Sequence, residues 1–560
     1  MQGSNSLPSP QAGPPDQAGP QHRSSAEPVL RHAPGVRLTD AERALLHAAF
    51  PASQTIFVEH EFRSGYSGAL VLLVSIDSGQ APLVVKLAHP HDLQREYEAY
   101  THHVLQRAVQ NTARLRGAPR TDPTGQLGLL VYTFAGGNTQ HPSGSLQSFF
   151  HQRGGQETVA VLQRIFRTYG RHWWAVNHPR KFVLAEEYDR LLPVHMEADI
   201  LPQSPARPAA RVIHGGHSSV VDVRDTQAGD HLQLHNFRIT KQDRAAGSIT
   251  VTAPPPPGEA SAPLRLRLFW ESELDHVPGA TLPTTDVRVR ATRRDLLLDA
   301  ARQAAPALDL TSAMLALPGV DGHQVPNPLT MLDGWLDRVV EARFSTIHGD
   351  LNVHNILVDP ATGFAWLIDF ADTREGPTLI DLQRLEVQVW TKLLPERVAE
   401  ADESGSDDML TDALTDTVVA NLAHALHADP PPARTAHSAY QEAYTVLVGI
   451  RRLARQYLMD DLDWDEYYLG TLVALVGTLK YSELNDRARR TALVTAGAFH
   501  ALLGVHPHRA EADVPQVAGT VAPPGTSMEV MPPPRPAHLP SLDGFVGRAA
   551  ELEQLAAQLE

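Results

Sequence analysis

The sequence predicts an α+β protein interrupted by a small β-rich domain. Three observations carry this prediction. Between residues 56 and 133, β-branched apolar runs are broken by Gly and Ser. Over 205–294, apolar and polar residues alternate at period two. Over 376–505, the apolar residues return at helical spacing. A chain of 560 residues is too long for one core, and its 42% apolar content suffices for several packed units.

Composition excludes several classes. The net charge is -16, from 48 basic and 64 acidic residues, which argues against a surface built to coat nucleic acid or an anionic membrane. Cysteine is absent. That rules out disulfides, thiolate zinc sites and cysteine nucleophiles, and it fits a reducing compartment. No apolar run reaches the length of a membrane span, and the polar, proline-rich start lacks the apolar stretch of a signal peptide. The expectation is a soluble cytoplasmic protein.

The elements follow in order. Residues 1–36 ("SLPSPQAGPPDQAGPQ") are too poor in apolar surface to offset the entropy of ordering, and are expected to be disordered. A first lobe spans 37–137. Its helix "LTDAERALLHAAF" opens on a capping-box spacing, Thr39 and Glu42. Strands "TIFVEHEF", "GALVLLVSI" and "APLVVKLA" come next, then a helix "DLQREYEAYTHHVLQRAV" and a strand "LGLLVYTF" ending at Gly136 and Gly137. Helices fill 138–204, with 157–192 read as one helical stretch. The inserted β domain covers 205–294, with an OB-like barrel as the guess. Its "HGGH" at 214–217 reads as a loop rather than a metal site. The second lobe resumes over 295–513, beginning with a helix at 328–345. A proline-rich linker, 514–541, and a short helical start, 542–560, follow.

The densest chemistry lies in "HGDLNVHNILVD", residues 348–359, followed by "IDF". Two short strands, "NILVD" and "FAWLIDF", flank the turn residues "DPATG" and predict a hairpin. A hairpin brings its strand ends together, so Asp350, Asn355 and Asp369 converge. Magnesium takes oxygen ligands, commonly one or two carboxylates plus substrate phosphates. Phosphoryl transfer also needs a group to orient the attacking hydroxyl. Asp350 suits that role, and Asn355 and Asp369 suit the metal.

These motifs resemble those of the aminoglycoside phosphotransferase and protein-kinase-like superfamily. His348, Asp350 and Asn355 match its His-x-Asp-x-x-x-x-Asn, Asp369 and Phe370 its downstream Asp-Phe, and Asp381 its Asp opening the next helix. The resemblance implies a bilobal protein-kinase-like (aminoglycoside phosphotransferase-like) fold using ATP and Mg2+, with His348, Asp350 and Asn355 catalytic. It also implies a strand lysine, matched by Lys86, paired with a helical glutamate. The apolar stripe Leu93, Tyr97, Tyr100, Val104 decides between two candidates. At about 100° per residue, Glu96 lies roughly 70° from the stripe centre and Glu98 roughly 130°, so Glu96 is the partner. "FRSGYSGALVLLV" takes the place of a phosphate-covering hairpin, with Gly65, Ser67 and Gly68 near phosphate. The backbone of Tyr132, Thr133 and Phe134 takes the place of an adenine-binding hinge. Within the superfamily, "SGYSGA", "REYEAY" and "HGDLNVHNILVD" resemble the bacterial "ternary complex associated" kinase-like domains of signalling or conflict systems. The tail "FVGRAAELEQL" resembles the segment opening AAA-type and STAND-type ATPase domains, although no G-x-x-x-x-G-K-[ST] occurs.

The function so implied is ATP/Mg-dependent phosphotransfer to a hydroxyl of an unidentified small molecule or protein. The alternative is a nucleotide-sensing pseudokinase or adaptor coupled to a STAND-type ATPase. The insert is slightly basic with few aromatic platforms (Phe237, Phe269, Trp270), so a protein-docking role is expected there and in the C-terminal region before a nucleic-acid one. Aminoglycoside kinases carry an acidic acceptor pocket, and the acidic run "ADESGSDD" is one candidate for its counterpart.

Overall fold

The structure is a computed structural model that describes residues 28–504, apart from 63–68, 78–80, 108–111, 135–143, 203–210, 218–222, 244–245, 259–260, 271–277, 318–323, 404–418 and 420–437. Gly65, Ser67, Gly68, Gly136 and Gly137, most of the acidic run, the proline-rich linker and the ATPase-like tail lie outside the described residues.

The first lobe is a six-stranded sheet beside two helices. Its elements are β1 (Val29–His32), α1 (Asp40–Ala49), β2 (Thr55–Phe62), β3 (Leu70–Ile76), β4 (Leu83–Ala88), α2 (Pro90–Ala99), β5 (Arg120–Thr121) and β6 (Gly128–Thr133). The strand order is β1-β2-β3-β4-β6-β5. Thr39 and Glu42 form the expected capping box on α1. One correction concerns β1, which falls in the stretch expected to be disordered. It pairs parallel with β2, so the neighbouring ladder supplies order that local composition does not. Alternation along β4 buries Leu83, Val85 and Leu87 in the lobe's own core. It turns Val84, Lys86 and Ala88 towards the other face, where Val84 and Ala88 pack on the main core.

After β7 (Gly144–Ser145) come α3 (Leu146–Arg153), α4 (Gly155–Thr168), β8 (His178–Val183) and α5 (Leu184–Tyr188). An eight-stranded sheet then interrupts the second lobe. It contains β9 (Met196–Ile200), β10 (Arg211–His214), β11 (His231–His235), β12 (Phe237–Asp243), β13 (Ser248–Ala253), β14 (Leu264–Phe269), β15 (Thr281–Leu282) and β16 (Thr285–Thr292). The order is β10-β11-β16-β9-β14-β13-β12-β15. β11 and β12 stand near opposite ends of that order, yet Asn236 alone separates them in sequence. The sheet therefore folds over on itself. Asn236 makes the corner with φ +58, a left-handed conformation that Asn tolerates, and its Nδ2 donates to Gly215 O at 2.8 Å. The inward faces form a separate core around Phe237, Ile249, Val251, Leu266 and Val287.

The remaining elements are α6 (Arg293–Ala304), β17 (Met314–Ala316), β18 (Gln324–Pro326), α7 (Leu332–Leu336), β19 (Val339–Ile347), β20 (Ile356–Val358), β21 (Ala365–Leu367), β22 (Arg374–Pro377), α8 (Ile380–Gln388), α9 (Leu394–Glu403), α10 (Ser438–Ala454), α11 (Asp465–Thr478) and α12 (Asp486–Leu502). Two expected helical stretches contain strands instead. β8 lies inside 157–192, and β19 occupies the end of 328–345, after the short helix α7. They pair with each other antiparallel, and β22 joins β19 on its other side. The Phe182 and Phe344 rings meet at 5.2 Å across the pair. Each strand satisfies the other's backbone, a long-range gain that helical spacing in one segment does not reveal. No helix among the described residues is long and apolar enough to cross a membrane.

Candidate active site

The site lies between the first-lobe sheet and the β19–α8 region. β4 presents Lys86 from its second face, and α2 presents Glu96 from its buried side. Lys86 Nζ donates to Glu96 Oε2 at 2.7 Å and to Asp369 Oδ1 at 3.1 Å. Glu96 is 2% exposed, whereas Glu98 is exposed, as the stripe geometry anticipates. Burial alone would make Lys86 release its proton more readily. The Glu96 and Asp369 carboxylates overcome that, and its pKa is raised. Burial pushes the Glu96 carboxyl up.

The hinge residues divide. Tyr132 pairs with Val84 of β4, and its hydroxyl donates to Glu96 Oε1. It therefore enters the site through its side chain. Thr133 N–H donates to Arg114 O at 2.8 Å, so that amide is committed to the sheet. Phe134 is the first residue past the paired stretch.

The predicted hairpin is present, with Ile356 opposite Leu367 and Val358 opposite Ala365. The catalytic loop just before it is knitted by side chains. Asn352 Oδ1 accepts from the N–H groups of His354 and Asn355. Asn352 Nδ2 and Asn355 Nδ2 both donate to Asp350 O and Asp350 Oδ2. Ile368 N–H donates to Asn355 O at 3.1 Å, which seats Asn355 next to Asp369. Asp369 itself has φ +62, a sparsely populated conformation that clusters at functional positions.

Two buried groups hold the loop in place. Asp381, at the start of α8, accepts from His348 N–H at 2.7 Å, Gly349 N–H at 2.9 Å and Trp174 Nε1–H at 2.9 Å. His348 is fully buried, and its Nε2 lies 2.9 Å from Ile368 O, a donor's position. It ties the loop to the strand before Asp369. Phe370 packs on Tyr100, Trp173 and His348. This links the helix of Glu96 to the segment of Asp369.

Asp369 and Asn355 suit a hard cation. Both are oxygen donors, Asp369 Oδ1 is held by Lys86, and Asn355 spends its Nδ2 on Asp350, which leaves its amide oxygen to coordinate. One carboxylate and one amide make a partial set of the kind completed by substrate phosphates and water.

Sequence reasoning missed the other side of Asp350. Arg384 forms an ion pair with Asp350 Oδ1. A cavity of about 170 Å³ opens there, walled by Asp350, Arg384, Gln388 and Lys392 among others. Arg384, Gln388 and Lys392 recur every four residues. That one-face spacing was legible but read as ordinary helix. Around Asp350 the cavity walls carry two cations, Arg384 and Lys392, together with the carboxylate of Glu483.

A buried strand lysine with its helical glutamate, facing an Asp–Asn loop and a following Asp, defines a kinase-like protein. The family model of "Ternary complex associated domain 9" matches residues 54–480, and the chain belongs to that family. Among solved structures it is similar to a thermostable mutant of aminoglycoside phosphotransferase APH(4)-Ia at 10% identity and TM-score 0.30, covering 82% of this chain and 99% of that one. It is similar to an aminoglycoside-3'-phosphotransferase of type VIII at 14% identity and TM-score 0.25, covering 73% and 98%. It is also similar to the amicoumacin kinase hAmiN, in complex with AMP-PNP, Ca2+ and Ami, at 12% identity and TM-score 0.26, covering 77% and 97%. No curated protein matches.

Proposed function

We propose that this chain is a Mg-ATP-dependent phosphotransferase that moves the γ-phosphoryl group of ATP to a hydroxyl acceptor. The observation that carries the reading is the meeting of Lys86, Glu96 and Asp369 from two lobes, beside the Asp350–Asn355 loop. Lys86, held straight by Glu96, contacts the α and β phosphates. Asp369 and Asn355 hold magnesium, which neutralises charge on the phosphates when bound. Asp350 orients the acceptor hydroxyl and takes its proton. His348 and Asp381 fix the loop so that Asp350 stays in line. The cytoplasm and a bacterial signalling or conflict setting fit this reading.

The test is calorimetry of ATP binding to the full chain, with and without Mg2+, on the wild type and on Asp369→Asn. Magnesium-dependent binding that the variant loses is the expected result. Absence of binding in a chain shown to be folded would sink the proposal. The ion pair of Arg384 with Asp350 favours a second reading, a nucleotide-sensing adaptor that binds without transferring. Magnesium-dependent binding with no ADP formation under any acceptor would establish it.

A further inference from the structure

The acceptor side of Asp350 has its own chemistry. The cavity there is about 170 Å³, roughly the liquid-volume share of five or six water molecules. That suits a compact molecule. Two cations line it, Arg384 and Lys392, against Asp350 and the exposed Glu483. Behind the wall, Lys480 Nζ donates to the backbone oxygens of Leu191 at 2.7 Å and Leu192 at 3.3 Å. In a chain of net charge -16, the two cations offset the two carboxylates of this lining.

Lys392 is 9% exposed, with Nζ 2.8 Å from His354 Nε2. Burial and Lys392 push His354 down to about 4, so the ring beside the lysine is neutral. Two polar atoms of the cavity's own residues are buried without a hydrogen-bond partner: Arg384 Nε and Gln388 Oε1. The first is a charged donor and the second an acceptor. A buried unpartnered polar group is costly unless something satisfies it.

We propose that the acceptor is a small hydroxyl compound carrying a carboxylate or a phosphate group, bound with its anion between Arg384 and Lys392. The proposal rests on the phosphotransferase reading above. Arginine is the side chain best matched to carboxylate and phosphate. A polycationic acceptor would have to bury its ammonium groups beside two like charges. The anion also gives Arg384 a second partner. When Arg384 turns from Asp350 to the acceptor, Asp350 Oδ1 is freed to act as base. The acceptor oxygen then bonds to the γ-phosphorus, and the bond from that phosphorus to the β–γ bridging oxygen breaks. The hydroxyl proton passes to Asp350, and ADP leaves.

The experiment follows ADP release by the full chain with Mg-ATP and four probes: glycerate, glycerol 3-phosphate, uncharged glycerol and the diamine 2-deoxystreptamine. We expect at least one anion to exceed glycerol by about tenfold or more in kcat/KM, and the diamine to be inert. Which anion works separates carboxylate from phosphate. Gln388→Glu, which sets a negative charge in the cavity, and Lys392→Gln should each raise the KM for that anion about tenfold with the KM for Mg-ATP unchanged. Melting temperatures check that both variants fold. Glycerol or the diamine matching the anions would overturn the proposal, and so would inert anions in a chain that binds Mg-ATP. Failure to bind Mg-ATP at all counts instead against the phosphotransferase reading.

Discussion

Glu466 shows how one side chain sets a pH response. It sits at the start of α11, with Oε1 accepting from Met459 N–H at 2.7 Å and Oε2 buried without a partner. Burial, reinforced by Asp463, pushes its carboxyl up to about 8. The sign follows from linkage. A raised acid pKa means that the folded state holds the proton more tightly than the unfolded chain. The stabilisation is full below the unfolded value near 4.5 and is lost as pH rises towards 8, at about 1.4 kcal/mol for each unit of the window. Glu466→Gln removes the titration. Its melting temperature is expected to gain on the wild type steadily between pH 5 and 8 and to hold a constant lead above. A constant difference across that range would show that Glu466 does not titrate there. The candidate site residues teach a related lesson. Asp350, Asn355, Lys86 and Asp369 were legible because their spacing reflects local chemistry. Arg384 was not, because its role exists only once α8 packs beside the catalytic loop.

Among the elements, the catalytic loop depends on one backbone conformation. Gly349 has φ +78, and a Cβ there would lie 2.2 Å from Asp372 O. Gly349→Ala therefore meets both left-handed strain and a backbone overlap. It should cost about 2–4 kcal/mol and abolish transfer, because His348 and Asp350 flank the site of the clash. Thermal melting and ADP release measure the two effects, and an active, equally stable variant would show that the loop shifts freely. The β8–β19 pair shows where the reading of elements failed. Each segment looks helical by its own spacing, and the strand state wins through pairing with Val183 and His178, which lie opposite Val339 and Phe344 far away in sequence. The β20–β21 hairpin succeeded for the opposite reason. Its turn residues act locally, with Asp359 accepting from Ala361 N–H and Thr362 Oγ1.

In the whole molecule, the insert is joined to the second lobe through a buried charge hub. Asp189 accepts from Arg265 of β14 and Arg293 of α6 at 2.9 and 2.6 Å. The insert's first and last strands are neighbours, with Met196 opposite Thr292, so both ends leave at one place. With its own core as well, the insert meets the conditions for independent folding. Residues 194–293 expressed alone should give a β-type circular dichroism spectrum and one cooperative melt. A random-coil spectrum would show that the Asp189 hub is required. Lys480, pushed down to about 7 chiefly by burial, lies beside the same hub and near the cavity at Asp350. The insert and the cavity thus share one electrostatic neighbourhood.

The sequence alone determined the class and the kinase-like fold. Those features are written in local periodicity, turn chemistry and motif spacing, which act over a few residues. Only the tertiary structure decided that the Tyr132 hydroxyl meets Glu96 and that His348 is fully buried. It also placed β1, β8 and β19 in sheets, and set Arg384 on Asp350 beside a cavity. Each of these depends on segments far apart in sequence becoming neighbours, and the free energy of such contacts belongs to the pair rather than to either segment.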